Sequence, residues 1–190
     1  MLEFRKAGIP IPKLLSSASG YLYKLEERKN TTYLCVMNYF TGKTFKHLAV
    51  AKNDVKRLTK YLTQIHALSF DIGMNYDSWG TAHLMDEYNS KSAHLSKEYV
   101  HLIEPVISEY KDINFDRFSK SIIHGDLQRT NVLRNQWQSY CILDLGVMNF
   151  SYSIIDLSIF IAHFCFDYIS QKPFFNLSLY NQTIETYSLY

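Results

Sequence analysis

The chain has 190 residues, of which 47% are apolar, and a formal net charge of +2. This length corresponds to one ordinary domain, and the apolar share is enough for a sizeable core. The small net charge is not that of a nucleic-acid or acidic-membrane binder, so we expect neither partner. Cys35, Cys141 and Cys165 lie far apart in apolar runs and are predicted to be buried thiols, not disulfides or zinc ligands.

The N-terminal part is predicted to end any initial helix by Gly8 and then to form a β-hairpin. Gly8, Pro10 and Pro12 should end any helix begun at Leu2 and force an extended segment. Two β-like runs follow at 21–26 and 32–39, joined by a polar turn at 28–30, and a second turn covers 40–43. Early charges followed by prolines are not the pattern of a signal peptide.

Two helices are predicted between residues 53 and 110. Asn53 or Asp54 can cap the first, which should end near Phe70. The second should bury one apolar face and contain Pro105 at a kink or a junction. The residues of that face are Leu95, Tyr99, Leu102, Val106 and Tyr110.

The last third is predicted to contain two strands and two helices. Residues 121–123 and 140–143 are β-like. A helix at 154–169 is apolar nearly all round and should be buried, and an amphipathic helix covers about 178–189. The longest apolar run, interrupted by Asp156 and His163, is shorter than the about 20 residues that cross a bilayer. We therefore expect a cytoplasmic protein.

The most informative segment is 124–131, which reads His-Gly-Asp-Leu-Gln-Arg-Thr-Asn. Asp126 and Asn131 share this loop, and Asp144 follows the β-like run 140–143. Mg²⁺ prefers such oxygen donors and binds through one or two carboxylates plus the phosphates of a substrate. Phosphoryl transfer needs little more than positioning and charge neutralisation. The pattern therefore indicates one proton acceptor and two metal ligands, although Asp144 alone could simply end a strand.

This spacing resembles the catalytic loop of the protein-kinase-like superfamily, in the branch of aminoglycoside phosphotransferases, choline kinases and type-II homoserine kinases. Weaker similarities at 8–14, 36–42, 64–68 and 155–158 follow the family's order. The resemblance implies an α+β, protein-kinase-like fold. Residues 1–40 would be a partial small lobe with hairpin and hinge, and 41–190 a mainly helical large lobe, incomplete at its C-terminus.

The resemblance also implies an enzyme that uses ATP and Mg²⁺ to phosphorylate a hydroxyl of a small molecule. Asp126 would be the catalytic residue, and Asn131 and Asp144 would bind Mg²⁺. The adenine would bind the hinge. The implied nucleotide-binding residues are Met37, Asn38, Tyr39 and Phe40.

Three further residues receive roles from the resemblance. His124 and Asp156 would support the catalytic loop, since a buried carboxylate is costly unless it is hydrogen-bonded. Arg129 would contact phosphate or an anionic acceptor, or would be a solvated loop charge. After Asp167 only Glu185 is acidic, so we expect a small hydroxylated metabolite or amino acid, not a polycation. An aromatic cage for a quaternary ammonium acceptor is an alternative.

The chain departs from the family in its small lobe. The strands with the phosphate-covering loop and the phosphate-gripping Lys would lie before Met1, no G-x-G occurs, and Lys24 lies on the wrong strand to substitute. We therefore expect weak or no turnover by this chain, and a non-catalytic, pseudokinase-like binding module is the first alternative. The second is a metal-dependent phosphoesterase with His124, Asp126 and Asp144 as ligands.

Overall fold

The N-terminal segment forms a short helix that ends before Gly8, as predicted. The computed structural model describes residues 1–18, 20–27, 30–73, 76–167 and 172–189. Helix α1 (Leu2–Lys6) buries Phe4 and ends before Gly8, whose φ of +76° lies in the left-handed region that favours glycine. Residues 9–13 then run without regular structure towards the first strand, as the prolines require.

The predicted hairpin is present, but its arms are interrupted. Four short strands form it: β1 (Leu14–Leu15), β2 (Tyr23–Glu27), β3 (Asn30–Leu34) and β4 (Val36–Met37). β2 pairs with β3, and β1 pairs with β4, both antiparallel. The predicted second arm is therefore broken at Cys35 and ends two residues early. Residues 28–29 of the predicted turn lie outside the described part of the chain.

The large lobe combines helices with short strands. The helices are α2 (Lys52–His66), α3 (Leu84–Lys91), α4 (Lys97–Lys111), α5 (Ser153–Phe164) and α6 (Leu177–Tyr187). The strands are β5 (Lys43–Thr44), β6 (Lys120–Ile123), β7 (Val132–Arg134), β8 (Tyr140–Ile142), β9 (Asn149–Tyr152), β10 (Phe166–Asp167) and β11 (Phe174–Phe175). This mixture confirms the α+β fold class, while the predicted boundary between lobes at residue 40 stays a prediction.

Two small sheets frame the loop at 124–131. β5, β7 and β8 form an antiparallel sheet in the order β5-β7-β8, and β6 pairs with β9. The loop connects β6 to β7, so it is held between the two sheets. The predicted strands at 121–123 and 140–143 are confirmed, but their partners β9 and β7 were not predicted because each is short and partly polar.

Helix α2 starts and ends earlier than predicted. Ala51 is the N-cap, and the Asp54 carboxylate accepts its N–H at 2.8 Å from the third helical position. The same carboxylate, 1% exposed, accepts from Arg134 at 2.5 Å and Tyr140 at 2.7 Å. Asp54 therefore ties the helix to β7 and β8, and the helix ends at His66 rather than Phe70.

The predicted buried face of α4 is wrong. Tyr99, Leu102 and Val106 are 63%, 71% and 61% exposed, whereas Ile107 is 3% exposed. The helix contacts the rest of the lobe through the face that contains Ile107, next to the predicted one. It continues through Pro105 without ending there. Helix α3, which precedes it, was not predicted.

The prediction that helix α5 is buried agrees with the structure more closely than the prediction for α4. Phe160 and Phe164 of α5 are fully buried and belong to the main core. The helix ends at Phe164 because residues 166–167 pair with β11, and the end of the predicted range, 168–169, lies outside the described residues. Cys141 and Cys165 are buried, but Cys35 is exposed, which corrects the prediction for that thiol. Within the described ranges, no helix is long and apolar enough to cross a membrane.

The chain exposes an unusually large surface for its size. Its accessible area is 12605 Å², whereas a folded monomer of this mass exposes about 9,400 Å². Every residue of β3 in the hairpin is exposed, and so are Tyr99, Leu102 and Val106 on the apolar face of α4. These two surfaces are unpartnered within the described residues.

Candidate active site

A buried carboxylate organises the start of the loop at 124–131. Asp156, in the first turn of α5, is fully buried. Its Oδ2 accepts the N–H of His124 at 2.8 Å, and its Oδ1 accepts the N–H of Gly125 at 3.0 Å. His66 of α2 contacts Oδ2 through Nε2 at 3.1 Å. These three donors compensate the burial of the carboxylate, and they fix the backbone that immediately precedes Asp126.

His124 uses both ring nitrogens inside the protein. Nδ1 accepts the N–H of Asp126 at 3.2 Å, so Nε2 carries the proton and donates to the carbonyl of Leu143 at 2.9 Å. The ring thus links the loop to the segment that carries Asp144. Because His124 is fully buried and neither nitrogen is free, it cannot serve as a metal ligand. This arrangement contradicts the phosphoesterase alternative.

Gly125 must be glycine for two reasons. Its φ is +83°, and an added Cβ would lie 2.7 Å from the carbonyl oxygen of Val147. A side chain here would push the loop away from the segment that follows β8.

Asp126 and Asn131 are in direct contact. The Asn131 Nδ2 donates to Oδ2 of Asp126 at 2.7 Å and to its carbonyl at 2.9 Å, and Gln128 Nε2 donates to both carboxylate oxygens at 2.9 Å. With its amino group occupied, Asn131 presents Oδ1 as its remaining polar atom, contacted by the Thr130 hydroxyl at 3.4 Å. The amide is therefore oriented with an oxygen free for a cation.

Asp144 lies beside Asn131 at the ends of paired strands. Val132 of β7 lies opposite Ile142 of β8, and the N–H of Leu143 donates to the carbonyl of Asn131 at 2.8 Å. Asp144 is exposed and adopts φ +58°, a left-handed conformation that is uncommon outside glycine. Such an outlier next to a hydrogen-bonded loop points to a functional constraint on the carboxylate.

The donor set suits a hard cation that also binds phosphate. Asn131 Oδ1 and the exposed carboxylate of Asp144 are the two oxygen donors that the geometry leaves available, which is the number expected when a nucleotide supplies the rest. No group of three His, Cys, Asp or Glu residues within the described ranges could hold a metal by itself. The residues therefore fit a nucleotide-bound Mg²⁺ better than an all-protein metal cage.

Both predictions for Arg129 need correction. The side chain is 8% exposed, its Nε donates to the carbonyl of His163 at 2.5 Å, and its Nη2 donates to the carbonyl of Phe166 at 2.5 Å. It is neither a solvated charge nor aimed at a phosphate. Carbonyls at the end of a helix attract cations, so Arg129 fastens the catalytic loop to the end of α5.

A cavity of about 380 Å³ opens next to Asp126. Its other polar side chains include those of Gln128, Asp77 and His163, and Trp79 and Ile159 are among its apolar ones. Burial lowers the pKa of His163, and the nearby Arg129 acts in the same direction, while Asp126 opposes them. His163 is therefore neutral at pH 7, and its ring can offer a hydrogen bond without a charge.

The predicted hinge residues lie outside this cavity. Met37 and Tyr39 are 45% and 86% exposed. Asn38 is engaged with Lys13, since its N–H donates to the Lys13 carbonyl at 3.0 Å and its Oδ1 accepts the Lys13 N–H at 2.5 Å. Among the hydrogen bonds of the described residues, none uses the N–H of Tyr39 or Phe40. Those two donors are open to a ligand.

Sequence reasoning missed three residues that contact the site. Gln128 binds the Asp126 carboxylate, His66 binds Asp156, and Tyr187 of α6 contacts His66 Nδ1 at 2.7 Å. Gln128 could have been identified from its place inside the loop motif. His66 and Tyr187 are far from the motif in sequence, and only the packing of α2 against α6 brings them near it.

Comparisons with known proteins agree with this geometry. Residues 1–171 match the phosphotransferase enzyme family. Solved structures of similar fold include spectinomycin phosphotransferase in complex with ADP and spectinomycin, at 16% identity and a TM-score of 0.61. Amicoumacin kinase in complex with AMP-PNP and Ca²⁺ has 13% identity and a TM-score of 0.68. A choline/ethanolamine kinase family protein from Mesorhizobium loti has 13% identity and a TM-score of 0.60. No curated protein matches the chain by sequence.

These matches cover nearly all of this chain but only part of the similar proteins. The three structures align with 98%, 99% and 97% of this chain, which spans 61%, 59% and 57% of theirs. At such identities the likeness establishes the protein-kinase-like fold. The family match over residues 1–171 goes further, and the chain belongs to the phosphotransferase enzyme family.

Proposed function

We propose that the site binds ATP with Mg²⁺ and transfers the γ-phosphate to a hydroxyl of a small molecule. The observation that carries the proposal is the contact between Asn131 Nδ2 and Asp126 Oδ2 at 2.7 Å. This contact gives the two residues of one loop different orientations. The Asp126 carboxylate lies at the cavity, and the Asn131 side-chain oxygen faces outward, beside Asp144. A phosphoryl-transfer site needs this combination of an acceptor-orienting carboxylate and phosphate-side metal ligands.

Asn131 and Asp144 would hold the metal ion. Bound Mg²⁺ neutralises the charge of the transferring phosphate. The exposure of Asp144 and its left-handed backbone keep the carboxylate outside the loop's internal hydrogen bonds. An added Cβ at Gly146 would lie 3.4 Å from Asp144 Oδ1, so the glycine keeps the approach to that oxygen open.

Asp126 would orient the acceptor hydroxyl. The hydroxyl oxygen forms a bond to the γ-phosphorus, the bond from that phosphorus to the bridging oxygen of ADP breaks, and the hydroxyl proton passes to Asp126. Because the transition state is loose, little deprotonation precedes attack, and Asp126 acts chiefly by positioning. Gln128 and Asn131 fix the carboxylate rotamer from two sides.

The cavity beside Asp126 would receive the acceptor. Its volume of about 380 Å³ suits a small metabolite. Spectinomycin and choline are acceptors named for proteins of the same fold, and both are small hydroxylated amines. Asp77 and Asp126 in the cavity wall, together with neutral His163, favour an uncharged or cationic acceptor over an anionic one. This weakens the sequence-based expectation of an amino acid, whose carboxylate would find no cationic side chain in the described lining.

The adenine would bind the hinge through the free N–H groups of Tyr39 and Phe40. The backbone N–H of Asn38 is not open to the base, since this N–H and the side-chain Oδ1 are both bound to Lys13. Met37 would contact the base. The predicted hinge therefore keeps backbone N–H donors for a purine. Of its four predicted nucleotide-binding residues, not all would contribute hydrogen bonds.

A non-catalytic binding module is the second candidate, and Lys24 favours it. Lys24 pairs with Glu26 at 2.5 Å on the exposed hairpin, so it does not replace the phosphate-gripping Lys of the family. A module without such a Lys would bind nucleotide but transfer phosphate slowly, because removing one preorganised charge-stabilising donor commonly costs about 10²–10³ in rate.

Phosphate transfer is tested by measuring ADP release with small amino alcohols and sugars as acceptors. Acceptor-dependent release that Asp126→Asn abolishes, while nucleotide binding persists, is the expected result. Asp116→Asn, an exposed change whose side-chain contact is Tyr152 at 3.4 Å, is the matched control. Nucleotide binding without any turnover would support the binding module, and the absence of both would reject the proposed function.

A further inference from the structure

A hydrogen-bonded side chain of helix α6 is linked to the loop at 124–131. The phenol oxygen of Tyr187 lies 2.7 Å from Nδ1 of His66, whose Nε2 lies 3.1 Å from Oδ2 of Asp156. Asp156 accepts the N–H groups of His124 and Gly125, which immediately precede Asp126. A continuous series of hydrogen bonds therefore runs from the last helix to the backbone of the proposed catalytic residue.

This series determines which nitrogen of His66 carries the proton. An ionised carboxylate only accepts hydrogen bonds, so Nε2 of His66 must be the donor to Asp156. Nδ1 is then a lone pair, and the Tyr187 hydroxyl is the donor that it faces. The tautomer of a histidine is set by the bond that its second nitrogen makes. Asp156 therefore selects the Nε2–H tautomer of His66, and the Tyr187 hydroxyl supports this selection by donating to Nδ1.

Burial makes that selection consequential. Asp156 is fully buried and the His66 side chain is 8% exposed, so water cannot replace a lost donor. The ring of Tyr187 packs edge-on against His66, with centroids 5.7 Å apart at 77°. Burial raises the pKa of Tyr187, a hydrogen bond from Ser153 opposes this, and the charge of Asp156 adds to it. The phenol therefore keeps its proton for donation at neutral pH.

We propose that Tyr187 is a positioning residue of this site and acts through His66 and Asp156 on the backbone that presents Asp126. The consequence for phosphoryl transfer rests on the proposed function, whereas the effect on the loop rests on the hydrogen bonds alone. Without the hydroxyl, Nδ1 of His66 has no donor, and the ring loses the contact that holds its Nε2–H on Oδ2 of Asp156. Outer partners of this kind change activity or metal affinity about 10–100-fold when removed.

The test compares Tyr187→Phe with Tyr180→Phe. Both tyrosines belong to α6, and Tyr180 contacts Phe175 through its ring, while its hydroxyl makes no hydrogen bond among the described residues. The ¹⁵N shifts of the His66 ring report its tautomer and the hydrogen bond at Nδ1, and amide hydrogen exchange reports His124 and Gly125. Tyr187→Phe should keep the Nε2–H tautomer, shift the Nδ1 resonance, and give roughly 2–10-fold faster exchange at those two amides, the factor for one lost hydrogen bond. Tyr180→Phe should change neither.

Three results would overturn the proposal. One is identical behaviour of the two variants, and another is uniform acceleration of exchange along the chain, which signals global destabilisation. The third concerns Tyr187→Phe made in a His66→Gln background. The proposal predicts no further effect on the two amides there, so a full effect would show that His66 is not the link. AMP-PNP binding with Mg²⁺, measured in parallel, separates the hypotheses: a wild type that binds no nucleotide rejects the proposed function and leaves the exchange and ¹⁵N results to decide the role of Tyr187.

Discussion

Replacing Asp156 with Asn should loosen the catalytic loop more than any other single isosteric change in the site. The carboxylate accepts two backbone N–H groups and the Nε2–H of His66. An asparagine of the same shape has one oxygen acceptor and one amino group. Whichever way the amide turns, at least one of the three donors will face another donor.

The least costly orientation keeps the oxygen at the Oδ2 position and leaves the N–H of Gly125 unpaired. A buried donor without a partner costs about 1–3 kcal/mol, and losing the charge from the other two bonds adds about 1 kcal/mol. The expected loss is therefore roughly 2–4 kcal/mol from a total stability of about 5–15 kcal/mol. The variant should fold, but with a less stable loop.

Urea unfolding of the wild type, Asp156→Asn and Asp116→Asn measures this difference. Asp116 is exposed, with one long contact at 3.4 Å to Tyr152, and its variant should stay within about 0.5 kcal/mol of the wild type. If the stability of Asp156→Asn is equally unaffected, then the three hydrogen bonds do not support the loop, and Asp156 does not have the structural role assigned to it.

Three further outcomes are expected. Tyr140→Phe removes the 2.7 Å bond to Asp54 and should cost about 1–3 kcal/mol in urea unfolding; a loss below 0.5 kcal/mol would contradict this. Burial lowers the pKa of His163, so the unfolded chain takes up the proton first and stability should fall as pH drops below about 6.5. His163→Gln should reduce that fall between pH 7.5 and 5.5, whereas an unchanged slope would rule out this residue. Thr32→Lys on the uncharged open edge of β3 should weaken any self-association seen by sedimentation, and an unaltered association constant would place the contact elsewhere.

The catalytic loop was predictable because its information is local. The residues of 124–131 and Asp144 lie within one stretch of chain, and their types specify oxygen donors at fixed spacing. The structure adds hydrogen bonds between neighbours in that stretch, such as Asn131 with Asp126. The predicted strands at 121–123 and 140–143 held for the same reason, since both are short apolar runs with buried residues on the two sides.

The features that sequence reasoning missed depend on contacts between distant segments. The apolar residues of α4 show helical spacing, but spacing does not reveal which side meets the lobe, and Ile107 was buried instead of Leu102. Arg129 finds the carbonyls of His163 and Phe166 only because α5 ends next to the loop. The link from Tyr187 to Asp156 likewise requires α6 to pack on α2.

The most direct test of the account is Mg²⁺-dependent binding of AMP-PNP to the wild type and to Asp144→Ala, with Asp116→Asn as the control. The account assigns to Asp144 an exposed, left-handed carboxylate beside Asn131, whose role is to hold the nucleotide's metal. Binding should require Mg²⁺ in the wild type and control, and should disappear in Asp144→Ala, which should still unfold cooperatively although an alanine at φ +58° lowers its stability. Equal affinity of all three proteins, or binding that is indifferent to Mg²⁺, would contradict the assignment of this loop as a metal–nucleotide site.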